Sequence, residues 1–186
     1  MVDWIILASK SNIRKKILEE NQITCRVEPS NVDEDTIKES LLKEKITPKI
    51  VSKNLAELKA NKISQKFINE IVLGADSVID LEGEIISKPN DRTEALEILK
   101  KLNGKTHQLI SSVCISRGGS MIWNYTDKAS LTMKDLSDLE LKTYLEKISD
   151  EALYAYNVYQ IEGEGKNLFS KIEGDEATIM GLPVKE

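Results

Sequence analysis

The sequence holds a single histidine, two cysteines and no apolar run near the roughly 18–20 residues needed to span a bilayer. Each shortage closes off a class of function. One imidazole, His107, rules out metal centres built from several histidines, and a Ser-His-Asp triad would have to use that one ring. Cys25 and Cys114 lie in apolar or extended stretches, so buried free thiols in a reducing compartment are expected, with a disulfide as the alternative. The opening Met-Val-Asp-Trp carries no basic segment ahead of Ile5, Ile6 and Leu7, which argues against a secretory leader and for a cytoplasmic protein. No Gly-x-Gly-x-x-Gly, Cys-x-x-Cys or Gly-x-Ser-x-Gly occurs, and the stretch from Gly163 to Asn167 lacks both the spacing and the Ser/Thr of a P-loop. An excess of positive charge is missing too: 26 Lys and Arg against 31 Asp and Glu leave a net charge of −5. Bulk attraction to nucleic acid or to an anionic membrane is therefore not expected, and a small anionic ligand would need a local group of cations or a metal.

What is present fits one domain spanning residues 1–186, with 40% hydrophobic residues to build its core. The central stretch is Ile71 to Asp80. Ile71, Val72 and Leu73, continued by Val78 and Ile79 after an interruption, read as a strand buried on both faces in mid-sheet. Gly74 and Ala75 narrow it, so another part of the chain can approach the backbone. Asp76 then sits at the mouth of the buried run. A carboxylate there is costly unless paired, hydrogen-bonded or facing a metal or a wet cleft; the plainer alternative is an Asp tied into a turn.

Other segments surround this one in a strand–helix alternation. Residues 4–8 read as a strand, followed by Ser9, Lys10, Ser11 and Asn12 at the start of a helix with Ile13, Ile17 and Leu18 on one face. Such a helix start can hold phosphate, and Arg14 adds a fork of donors. After a strand over 23–27, the acidic cluster from Val32 to Asp35 reads as a loop that could bring a carboxylate to Asp76 at a divalent metal. A charged surface helix over 36–45 precedes a longer one opening near Pro48, with Val51, Leu55 and Leu58 on its apolar face and Ile63 and Phe67 extending it. Lys59 falls at the edge of that stripe, where lysines are usually solvated. Further on come a hairpin turn at Glu82–Glu84, an extended Ser87-Lys88-Pro89, a helix between Asp91 and Asn103-Gly104, a hairpin of strands 106–116 and 121–133, and a capping box at Ser137 and Glu140. His107 is expected to be a surface or structurally bonded residue. The pattern is that of an α/β domain with a mixed sheet.

Taken together, these segments resemble the Maf family of nucleoside triphosphate pyrophosphatases. The likeness runs through Leu7-Ala-Ser9-Lys-Ser11-Asn-Ile-Arg14, Val32-Asp-Glu34, Leu55-Ala-x-x-Lys59-Ala, Gly74-Ala-Asp76-Ser, Ser87-Lys88-Pro89, Asn103-Gly-Lys-Thr-His107, Gln160-Ile-Glu162-Gly and the closing Ile172-Glu-Gly-Asp175 and Gly181-Leu-Pro183. The resemblance implies a mixed twisted sheet flanked by helices, in an elongated two-lobed domain with a deep central cleft, often dimeric. It implies a reaction that converts a nucleoside triphosphate to the monophosphate and pyrophosphate with a divalent metal, Mg²⁺ or Mn²⁺. Carried over residue by residue, Asp76 is the catalytic base and a metal ligand with Glu34. Ser9, Ser11, Arg14, Lys59 and Lys88 bind the triphosphate, and Ile13, Ser77 and Glu162 choose the base. Three departures bear on that choice: Ile13 stands where the family has Arg, Ser77 where it has Thr, and Glu162 where many members have Gln. The base preference is therefore open. Two other readings compete: a non-catalytic nucleotide-binding regulator of septum formation, to which the family has been linked, and a phosphomonoesterase. Intact Asp76, Glu34 and Lys88 favour the pyrophosphatase.

Overall fold

The structure, a computed structural model, describes residues 4–184, the side chains of residues 155 and 156 excepted. In chain order its elements are β1 (Ile5–Leu7), α1 (Asn12–Glu20), β2 (Cys25–Val27), α2 (Glu34–Lys43), α3 (Pro48–Ser64), β3 (Val72–Leu81), β4 (Glu84–Ile86), α4 (Arg92–Leu102), β5 (Thr106–Arg117), β6 (Ser120–Met133), α5 (Asp138–Glu146), α6 (Asp150–Tyr156), a short 3₁₀ turn (Glu164–Leu168), β7 (Phe169–Glu173) and α7 (Glu176–Ile179). Seven strands form one mixed sheet in the order β2-β1-β3-β5-β6-β7, with β4 paired to β3. β1 runs parallel to both β2 and β3, whereas β3–β4 and β6–β7 are antiparallel. The α/β class with a mixed sheet and flanking helices is as expected. Among the described residues no helix is long and apolar enough to cross a membrane.

The chain divides into two compact units. One comprises the chain through Val78, Ile110–Lys128 and the segment from Asp175; the other comprises Ile79–Leu109 and Ala129–Gly174. In the first unit, successive residues of β1 and β3 point to opposite faces and both faces are buried. Ile6, Ala8 and Val72 pack with Ala56, Ala60 and Ile63 of α3. Leu7, Leu73 and Ala75 pack on the other side with Ile17 and Leu18 of α1. The approach to Gly74 is that of α3: a Cβ there would stand 2.3 Å from the Ala56 carbonyl oxygen and 2.7 Å from the Ala60 nitrogen. Helix and strand backbones touch because neither carries a large side chain at the crossing.

That crossing corrects two expectations. β3 is not interrupted. It runs unbroken from Val72 to Leu81, so Asp76 lies within the strand and not at its end. The buried face of α3 is Val51, Ser52, Leu55, Ala56, Lys59, Ala60 and Ile63, while Leu58 is 42% exposed. The stripe that meets the sheet is set by the small residues Ser52, Ala56 and Ala60, four apart, and it carries Lys59 inward. A third correction concerns the acidic loop: Asp33 caps α2, accepting from Thr36 N at 3.2 Å, so Glu34 belongs to the first helical turn.

The second unit is tied by local devices. Glu82 and Gly83, both at positive φ, close the β3–β4 hairpin. The capping box of Ser137 and Glu140 opens α5. Arg92 donates to the carbonyls of Leu145 and Ile148 at 2.7 Å each, satisfying the end of α5. His107 is buried. Its Nε2 is 2.8 Å from the Tyr159 hydroxyl, and Phe169 packs edge-on against both rings, so the structural reading of this histidine holds. Both cysteines are free thiols, Cys114 buried and Cys25 half-buried.

Candidate active site

The turn between β1 and α1 is organised by two serines. Ser11 caps α1, its hydroxyl accepting from Arg14 N at 3.3 Å, and Ser9 Oγ accepts from Ser11 N at 3.2 Å. Arg14, in the first turn, folds back over this loop. Its Nη1 donates to Ser9 Oγ at 3.2 Å, its Nη2 to Ser77 Oγ at 3.3 Å and its Nε to the Gly181 carbonyl at 2.9 Å. Gly181 sits at φ +99°, and a Cβ there would press on Ser77 Oγ at 3.1 Å and on Arg14 Nη2 at 3.3 Å. Three of the five guanidinium N–H groups are used in these bonds, which leaves one on each terminal nitrogen for a ligand. Burial pushes the Arg14 guanidinium below its ordinary value, while the charges of Asp76 and Glu34 pull it back up.

Beside this loop lies a lysine-bridged carboxylate pair. Lys59, 5% exposed, donates from Nζ to Asp76 Oδ1 at 2.8 Å and lies 2.8 Å from Glu34 Oε1. It also reaches the Ala75 carbonyl at 3.4 Å. Lys38 approaches the other oxygen of Glu34 at 3.8 Å. Asp76 is 3% exposed, and its backbone carbonyl accepts from Ser52 Oγ at 3.0 Å. Among the described residues Asp76 Oδ2 finds no hydrogen-bond partner, although it is buried. Burying an anion demands compensation, and Lys59 provides it on one oxygen only. Arg14 and Lys59 set two cations against Asp76 and Glu34, and Lys38 adds a third beside Glu34.

Ser9, Ser11, Arg14, Glu34, Lys59, Asp76 and Ser77 are thus all in the first unit. Ile13 is half-buried there, its side chain packed on the Leu7 cluster. Lys88 and Glu162 belong to the second unit. Lys88 is exposed between β4 and the buried Pro89, and Glu162 is exposed beside the buried Ile161. Sequence reasoning missed the buried hydroxyls bonded to Asp76, to Ser77 and within the segment that meets Arg14, those of Ser52, Ser111 and Thr178. Ser52 could have been found from its place in the small-residue stripe of α3; nothing local marks the other two. Among the described residues no group of three or more His, Cys, Asp or Glu side chains could hold a metal ion.

A capped helix start with an arginine fork, set beside a buried lysine and two carboxylates, defines an α/β protein suited to a phosphorylated ligand. The chain belongs to the Maf-like protein family, whose model matches residues 4–186. A relative from Pelagibacter ubique (strain HTCC1062), named nucleoside triphosphate pyrophosphatase, is 84% identical over 186 residues, covering 100% of this chain and 95% of its own. One of the same name from Ruegeria sp. (strain TM1040) is 40% identical, covering 100% of this chain and 94% of its own. A third, from Bartonella quintana (strain Toulouse), is named 7-methyl-GTP pyrophosphatase; it is 40% identical, covering 99% of this chain and 92% of its own.

Proposed function

We propose that this chain hydrolyses a nucleoside triphosphate to the monophosphate and pyrophosphate. The names of its relatives support the reaction, and the observation that carries it to particular residues is the Lys59-bridged pair of Asp76 and Glu34, with Asp76 Oδ2 left without a partner. Asp76 serves as the base. It takes a proton from water as the water oxygen bonds to the α-phosphorus. The bond from that phosphorus to the oxygen bridging to the β-phosphorus breaks, and pyrophosphate leaves with the electron pair. Arg14 and the N-terminal amides of α1 hold phosphate oxygens, with Ser9 and Ser11 shaping that loop. Lys59 keeps the two carboxylates together, and Lys88 contributes a further cation to the triphosphate.

The site suits a divalent cation. Asp76 Oδ2 is a buried anionic oxygen lacking a donor, and two carboxylates leave coordination positions for phosphate oxygens, the usual habit of Mg²⁺ and Mn²⁺ with nucleotides. Asp76 and Glu34 would hold it, and when bound it supplies positive charge against the phosphoryl oxygens. Ile13, Ser77 and Glu162 are proposed to set base choice. Glu162 offers only acceptors when ionised, which suits guanine or a cationic methylated guanine. The test incubates purified protein with Mg²⁺ or Mn²⁺ and a panel of triphosphates including 7-methyl-GTP. Monophosphate and pyrophosphate in equal amounts support the reading. Orthophosphate alone indicates a phosphomonoesterase, and bound but intact nucleotide indicates a regulator.

A further inference from the structure

Behind Arg14 runs a chain of hydroxyls whose hydrogens can point only one way. Ser111 is fully buried, and its Oγ lies 2.7 Å from the carbonyl oxygen of Thr178. A carbonyl only accepts, so the Ser111 hydrogen goes there. Ser77 Oγ lies 2.7 Å from Ser111 Oγ. With the Ser111 hydrogen spent, Ser77 must donate to Ser111, and its own lone pairs face the other way. One meets Arg14 Nη2, which donates at 3.3 Å. The far end of the chain is anchored as well: Thr178, also fully buried, donates from its hydroxyl to Asp127 Oδ2 at 2.7 Å. The same C-terminal segment receives Arg14 Nε at the Gly181 carbonyl.

We propose that Ser111 is a positioning residue for substrate selection, locking the Ser77 hydroxyl as an acceptor so that the part of the nucleotide meeting Ser77 must bring a hydrogen. The matching chemistry is an exocyclic amino group of the base; a carbonyl oxygen at that point faces lone pairs. The inference rests on the proposed pyrophosphatase activity and on Ser77 meeting the base. Losing the Ser111 hydroxyl frees the Ser77 hydrogen to turn outward, and Ser77 can then serve a donor or an acceptor alike. The Thr178 carbonyl is not stranded by that loss, because Gly181 N also donates to it at 3.1 Å.

The test compares kcat/KM within three pairs of triphosphates that exchange an amino donor for an oxo acceptor at one ring position: guanosine against xanthosine, adenosine against inosine, cytidine against uridine. The wild type should favour the amino member of at least one pair. Ser111→Ala should lower that preference about tenfold, the factor that one neutral hydrogen bond is worth. In a Ser77→Ala background, Ser111→Ala should change the ratio no further, an outcome that a merely structural role would not give. Wild-type ratios near one in all pairs overturn the inference. So does a ratio unmoved by Ser111→Ala, or one moved equally in the Ser77→Ala background. Should the alanine protein not fold, Ser111→Cys keeps the shape but offers the Ser77 hydrogen only a weak acceptor, so the preference should fall in the same direction. Wild-type protein releasing no pyrophosphate overturns the underlying reaction instead, a result visible before any variant is made.

Discussion

Lys59 Nζ lies 2.8 Å from Asp76 Oδ1, joining the middle of α3 to the middle of β3 by an ion pair with both partners buried. Lys59 is the neighbour of Ala60, whose backbone nitrogen stands against Gly74 where α3 meets the strand. The packing that brings helix and strand together and the charge cluster that the chemistry needs are therefore one construction.

Lys59→Met tests the charge side of it. The methionine fills much of the lysine stem's volume but leaves two carboxylates without their shared cation. Breaking a buried pair by removing one partner costs about 3–5 kcal/mol. Urea unfolding should show that loss together with a collapse of turnover. An unchanged midpoint would mean the lysine charge is not what compensates Asp76.

Gly74→Ala tests the packing side. Two of the three contacts at 2.9 Å or closer are to backbone atoms of α3, so no side-chain rotation relieves them. A loss of about 3 kcal/mol is expected, at the upper end of overpacking costs. Adding Ala60→Gly removes only the Cβ contact and should recover a minor part of it. Full recovery would place the clash in side chains, against this geometry.

Asp76→Asn is nearly isosteric and keeps an oxygen for Lys59, so circular dichroism and gel filtration should match the wild type. Pyrophosphate release should fall by about 100-fold or more, the contribution expected of a general base. A folded variant with near wild-type turnover would remove Asp76 from the chemistry.

His107 sets an acid limit on stability. Burial lowers its value from 6.5 to about 4, so the folded chain keeps the ring neutral where the unfolded chain takes up a proton. Its contribution is complete above pH 6.5 and is lost as the pH falls towards 4, by about 3 kcal/mol in total. Unfolding of the wild type followed from pH 7 to 4 should therefore fall off more steeply than that of His107→Gln. Parallel curves would show that the ring does not titrate in this window.

Glu162→Gln addresses base choice. Exchanging an anionic acceptor for an amide that also donates should shift preference towards uracil or thymine triphosphates. The kcat/KM ratio of GTP or 7-methyl-GTP to UTP should drop about tenfold. An unmoved ratio would mean the side chain does not meet the base.

Much of the fold was written locally. Ser11, Asp91 and the Ser137–Glu140 pair each bond to backbone within four residues, so their helix starts can be read from the sequence alone. The hairpin turns follow likewise from Gly83 and from Gly118 and Gly119, which take the positive φ that other residues resist. The family motifs brought Asp76, Glu34 and Lys59 forward, yet composition and periodicity misjudged how they sit. A charged Lys59 beside an apolar Leu58 suggests that the leucine is inside; the reverse is true, because close contact with Gly74 selects the face of α3 that carries Ser52, Ala56 and Ala60. The Ser77–Ser111–Thr178 chain has no local signature at all, since its members lie 34 and 67 residues apart. Caps and turns are settled by neighbours in sequence. Which side chain is buried, and which way a buried hydroxyl points, is settled by neighbours in space, and only the packed structure decides it.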